Sequence, residues 1–325
     1  MKRILNIIKR IVCKFVYYLL FSPILKKTNW YKNFFLKDIY PGNIWYREHS
    51  ERNFDLIALG SSGAKWAFDF SCCSIKAMNW AQQPQGLVED YNLLRNFHSI
   101  LRKDGIVIIT IMPFTSVNRQ TGLLDALKYI NINAHEPIQP HLYNKAKKVA
   151  DMPLLMGKPA LKALIKYIIG KDVPIRTDSY AQVTSNPMTI EQLEKNALDF
   201  INGWKKQFNI KDFDEPLTLE NKKGREYRTI LMRTLVDFCI EREYKPVYVI
   251  PPVTKYLFNF FSPSFNETYI YSFLREVDRD ILLLDYSNEE SLQKDELYFN
   301  SFFMNKKGRE TFTKRVLKDL KLIQS

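Results

Sequence analysis

A chain of 325 residues with 46% hydrophobic and 14% aromatic side chains can bury a sizeable core, which excludes wholesale disorder and fits one large α/β domain with insertions or two small domains. The formal net charge of +13 is unevenly spread: residues 1–50 hold ten Lys or Arg against two acids, and the remainder is nearly balanced. That balance argues against a nucleic-acid surface on the main domain, and no recognition helix, zinc finger or aromatic RNA-binding motif is present. The four cysteines (Cys13, Cys72, Cys73, Cys239) make no disulfide framework and no C-x-x-C, so reduced thiols and no metal are expected.

Residues 1–27 alternate basic pairs (Lys2-Arg3, Lys9-Arg10, Lys26-Lys27) with apolar runs. The run from Ile11 to Leu25 is broken by Lys14 and Pro23, short of the roughly 20 residues a bilayer-spanning helix needs. No small-residue cleavage site follows, so no cleavable signal peptide is evident. The composition fits a basic amphipathic helix on a membrane surface, the alternative being a helix docked on the domain. The expected location is therefore membrane-associated or cytoplasmic. Residues 28–325 then form one domain, opening with an irregular lead-in over 28–53 that includes a Pro41-Gly42 turn.

Phe54 to Leu59 reads as a short buried strand stopped by Gly60, with Ser61, Ser62 and Gly63 leading into a helix through Trp66. This arrangement puts backbone N–H groups and a hydroxyl at the carboxyl edge of a sheet, where open α/β sheets hold their ligands. Further strands are expected near 76–81, 106–112, 247–250 and 281–286. A helix over 87–103, with apolar period at Leu87, Tyr91, Leu94, Phe97, Ile100 and Leu101, should end at Asp104-Gly105. Residues 118–188 read as an insertion or cap beside the sheet edge, with short helices near 123–129 and 161–169. Thr189-Ile-Glu-Gln192 is a capping box opening a helix to about Phe208, another helix spans about 221–241, and Asn305 is a good N-cap for a last helix. The strand–helix alternation implies a parallel sheet with crossover helices.

Two distant stretches resemble one family. Leu59-Gly60-Ser61-Ser62, with Ala64 and Asp69, is similar to the first block of the SGNH/GDSL-type hydrolase superfamily, in its branch associated with bacterial surface polysaccharides and the cell envelope. Tyr298 to Gly308, followed by an amphipathic helix, resembles the last block, whose pattern is Asp, two residues, His, an apolar residue, Asn, two residues, Gly. The resemblance implies a three-layer α/β/α, flavodoxin-like fold with a parallel five-stranded sheet, a nucleophile at Ser62 and no cofactor. It also puts Asn300 at the carboxylate position and Phe303 at the histidine position. A serine hydroxyl needs a neighbouring base, and the imidazole that serves it needs a carboxylate to orient it. Phenylalanine accepts no proton, and asparagine balances no imidazolium charge.

Two readings follow. In the first, the chain is a catalytically impaired relative with a binding or accessory role, using Ser61, Asn79 and Gln83 towards a carbohydrate or acyl-ester ligand. In the second, it is an active esterase, acetyl-transferring or deacetylating enzyme in which Ser62 borrows a base from His49, His98, His135 or His141. Beside both stands the plainer assignment of Ser61 and Ser62 as a helix cap, and of Asn79 and the loop glutamines as partners of loop backbone.

Overall fold

The computed structural model describes residues 11–12, 15–39, 51–83, 85–117, 122–130, 140–175 and 187–324. The Pro41-Gly42 turn, His49 and His135 lie outside these residues, as does the side chain of His141. The chain divides into two compact units: residues 50–120 with 178–325, and residues 1–49 with 121–177.

The first of these units is a mixed α/β layer structure around five parallel strands: β1 (Phe54–Leu59), β2 (Ala77–Asn79), β3 (Leu101–Thr110), β4 (Lys245–Ile250) and β5 (Leu283–Asp285). Their order, β2-β1-β3-β4-β5, is the flavodoxin-like one. Strands covered on both faces need near-continuous apolar runs, and these have them. On one face Leu56, Ala58, Ile106, Ile108, Val247 and Val249 pack against Phe68, Phe312 and Val316. The alternating set, Ile57, Leu59, Val107, Ile109 and Tyr248, is equally buried.

Element edges differ from expectation in physically simple ways. The helix Leu87–Phe97 stops early, and β3 starts at Leu101 because Asp104 and Gly105 form an outward bulge within the strand rather than a helix end. Between the pairs Phe54↔Leu101 and Leu56↔Ile106, β3 spends five residues against two on β1, with Asp104 at φ 60°. β4 includes Pro246, which pairs only with β3 at a level that β5 does not reach. Both expected caps are made: the Thr189 hydroxyl accepts from the Gln192 N–H at 3.3 Å, and Asn305 Oδ1 accepts from the Gly308 N–H at 3.0 Å.

The second unit is helical. Over residues 29–39 the expected irregular lead-in is instead a short helical turn, Asn29–Tyr31, running into π-helical Lys32–Ile39. The Thr28 hydroxyl caps it, accepting from the Tyr31 N–H at 3.1 Å, and i,i+4 aromatic stacks (Trp30 on Phe34, Tyr31 on Phe35) support it. Among the described residues of the insertion the α-helices are Leu123–Leu127, Pro140–Asp151 and Lys158–Ile168. The second of these was not expected. Leu25 packs with Ala160 and Leu164, the Asn29 N–H donates to Asp172 Oδ2 at 2.7 Å, and the Asn33 amide donates to the Pro174 carbonyl at 2.9 Å. The N-terminal segment and the insertion thus build one small core together. Among the described residues, no helix is long and apolar enough to cross a membrane.

Candidate functional site

The chain leaves β1 for β2 on one side of the sheet and returns to β3 on the other, so β1 and β3 flank the topological switch point, where ligands bind in open α/β sheets. An open cavity of about 280 Å³ lies there, bounded by Gly60, Ser61 and Ser62 after β1 and by Thr110, Met112 and Pro113 at the end of β3. Gly60 makes the turn possible: it sits at φ 139°, and a Cβ there would come 2.8 Å from the Ala64 Cβ and 3.0 Å from that of Thr110.

Ser61 occupies the N-cap position of the single turn Ser62–Lys65, yet its side chain makes no capping bond; its Oγ receives the Gln85 N–H at 3.4 Å. Ser62 is half-buried and borders the cavity, and no described residue hydrogen-bonds its hydroxyl. Gln83 is exposed on the cavity rim. Asn79 is not on the cavity. Its amide nitrogen donates to the Ala64 and Phe68 carbonyls (3.0 and 3.3 Å) and its oxygen accepts from the Ala81 N–H (3.0 Å), which ties the β1–β2 crossover together.

The Tyr298–Gly308 stretch is held together locally, and neither of its two expected site positions offers acid–base chemistry. Asn300 Oδ1 accepts from the N–H groups of Phe302 (2.9 Å) and Phe303 (2.7 Å), so its carboxamide closes its own loop. The Phe303 ring lies among aromatic rings, with centroids 4.7 Å from Phe302, 5.8 Å from Phe299 and Phe200, and 6.2 Å from Trp66. Neither Asn300 nor Phe303 borders the cavity, whereas Phe302 does. The hydroxyls after β3 are also spent on structure: Thr115 Oγ1 accepts from the Met112 N–H at 2.8 Å, and Ser116 donates to the Tyr269 carbonyl at 2.6 Å.

His98 cannot serve Ser62. It sits just before β3, and its Nδ1 is 3.0 Å from the hydroxyl of Tyr244, which just precedes β4. In a parallel sheet that is the amino edge, opposite the turn after β1. Burial, and then the Arg242 charge, hold its pKa below the usual imidazole value, consistent with a neutral packing role.

Sequence reasoning missed the charged residues of the cavity. Asp90, on the helix Leu87–Phe97, is 4% exposed, and its Oδ1 accepts from the Gly60 N–H at 2.9 Å and from Gln85 Nε2 at 2.6 Å. Burial pushes its carboxyl up to about 7, the neighbouring Glu89 adding to the rise while the Gln85 and Gly60 hydrogen bonds oppose it. Arg228, on the helix Leu219–Glu241, is 8% exposed and borders the same cavity. The Thr110 hydroxyl on that wall is buried without a hydrogen-bond partner among the described residues. A signal existed: Asp90 and Arg228 occupy core positions of their helical periods, 87/90/91/94 and 221/225/228/232, where a charge is out of place unless it serves a site. Trp204, Phe208 and Phe302 add ring atoms to the lining.

No protein-family model matches the chain, and no curated protein matches it either.

Proposed function

We propose that the chain is an SGNH-hydrolase-like protein without esterase chemistry, which binds a carbohydrate of the bacterial surface or cell envelope in the cavity at the β1–β3 switch point. One observation carries the proposal: the position where the family would place its imidazole is Phe303, packed in an aromatic cluster, and Asn300 beside it is consumed by its own loop. The cavity itself suits a sugar. A buried carboxylate, a guanidinium and hydroxyls line it to meet sugar hydroxyls, and the half-buried Trp204 can stack on the C–H face of a pyranose ring. Residues 1–27 complete the reading as an interfacial helix that keeps the protein at a membrane surface.

Chemistry and binding are tested together. Wild type should show no labelling by a serine-reactive fluorophosphonate and no turnover of an activated acetyl ester beyond that of Ser62→Ala. Labelling of the wild type that disappears in Ser62→Ala establishes an active serine and overturns the proposal in favour of the esterase reading. On an immobilised panel of bacterial surface polysaccharides, wild type should be retained by at least one member, and Trp204→Ala should weaken that retention on the order of tenfold. Equal retention of the two proteins would remove the cavity from the account.

A further inference from the structure

The net charge of the chain resides entirely in one unit. Residues 1–49 with 121–177 hold 19 Lys or Arg against 6 Asp or Glu, while residues 50–120 with 178–325 hold 29 of each. The insertion therefore adds to the basic character of the N-terminal segment instead of diluting it. Its helix Lys158–Ile168 is divided into three stripes. Ala160 and Leu164 face the core shared with Leu25, and Ala163 between them is buried. Beside them Leu161, Ile165 and Ile168 stand 53%, 51% and 69% exposed. Lys158, Lys162 and Lys166 form the next stripe, and among the described residues none of the three is in an ion pair.

The N-terminal helical run repeats the pattern. Tyr17 and Leu25 are buried, while Phe15, Leu19 and Leu20 are 64%, 59% and 60% exposed and Lys26 and Lys27 are exposed at its end. A soluble surface rarely leaves so many large aliphatic side chains open within one small unit. An apolar stripe bordered by unpaired lysines is the pattern of a helix that lies in the headgroup layer of an anionic bilayer.

We infer that the insertion helix Lys158–Ile168 is a second membrane-docking element, which works with the N-terminal helix to seat the unit on an anionic lipid surface. This rests on the reading of residues 1–27 as interfacial and extends it to residues 130 positions further along the chain. Leu161, Ile165 and Ile168 enter the acyl boundary, and Lys158, Lys162 and Lys166 meet the lipid phosphates.

The test is flotation of the full chain with phosphatidylcholine vesicles, with and without phosphatidylglycerol, at low and physiological salt. Wild type should bind the anionic vesicles, and less so as salt rises. Ile165→Glu with Ile168→Glu should lose binding by on the order of tenfold or more, and so should the triple variant Lys158→Gln, Lys162→Gln, Lys166→Gln, which leaves the apolar stripe intact. All these positions are on the surface or its margin, so circular dichroism and melting should match the wild type. If both variants bind like wild type while deletion of residues 1–27 abolishes binding, the N-terminal reading stands and this inference fails. If wild type binds no vesicles, both fail. A wild-type dimer that the Ile165→Glu, Ile168→Glu variant disperses, without vesicle binding, assigns the face to a second copy and likewise overturns the proposal.

Discussion

Replacing Gly308 with alanine is expected to destabilise the sheet-bearing unit by about 3 kcal/mol or more. Gly308 is buried in the first turn of the helix Lys306–Asp319, and an added Cβ would sit 2.0 Å from the Leu297 carbonyl oxygen and 2.9 Å from its carbon. Backbone cannot rotate aside as a side chain can. The helix start would have to lift away, yet the Asn305 N–H is bonded to that same Leu297 oxygen at 2.9 Å and the Asn305 amide to the Glu296 carbonyl at 2.8 Å. Gly203, in the helix Ile190–Gln207, gives the control, since nothing lies within 4 Å of its added Cβ. Gly203→Ala should be neutral or stabilise by up to about 1 kcal/mol, through helix propensity and a less disordered unfolded chain. Urea unfolding of both variants checks the pair; a Gly308→Ala midpoint equal to wild type would show that the helix start has room to move.

Asp90→Asn should abolish a pH dependence of stability between about pH 4 and pH 7. The carboxyl of Asp90 is raised to about 7 in the fold, chiefly by burial. The sign follows from proton counting: across that window the native state keeps a proton that the unfolded chain has released, so stability falls as pH rises. Its favourable contribution is complete below the unfolded value near 4 and is lost once pH passes about 7. A carboxyl raised from near 4 to about 7 by the fold corresponds to at most about 4 kcal/mol. Asparagine retains an oxygen for the Gly60 and Gln85 N–H groups, so the turn stays supported. The charged group acting on Asp90 is Glu89 beside it, while Arg228 borders the same cavity. The measurement is the stability difference between Asp90→Asn and wild type across the pH range. It should grow in favour of asparagine up to about pH 7, and a constant difference would mean that Asp90 does not carry the proton.

The parts of the fold legible in the sequence were those set by local pattern. Apolar runs such as Ile106 to Ile109 announced the strands, Gly60 announced the turn, and Thr189 and Asn305 announced helix starts through their side-chain oxygens. What escaped depended on distant partners. Asp104-Gly105 has the composition of a turn, and only pairing with β1 and the bond of the Asp104 N–H to the Glu243 carbonyl make it a bulge inside a strand. The core shared by Leu25, Ala160 and Leu164 joins positions some 135 residues apart, beyond any periodicity. Ser62 was found because hydroxyls after a glycine turn are conspicuous, whereas the core-face positions of Asp90 and Arg228 gave only a faint signal, since a charge on such a face, like the ion-paired Arg225 one turn before Arg228, is as readily structural.

The pairing of β3 with β4 also fixes an order of events during synthesis. β1, β2 and β3 are complete within the first 110 residues, but residues 111–244 must follow before β4 can lie beside β3. At about 5–20 residues per second, that leaves the apolar edge Ile106–Thr110 without its neighbouring strand for roughly 7 to 27 seconds. An open, uncharged β-edge of this kind is what holdase chaperones shield and what seeds aggregation when they are scarce. The long detour between two adjacent strands therefore makes the yield of folded protein depend on elongation rate and chaperone supply as well as on final stability.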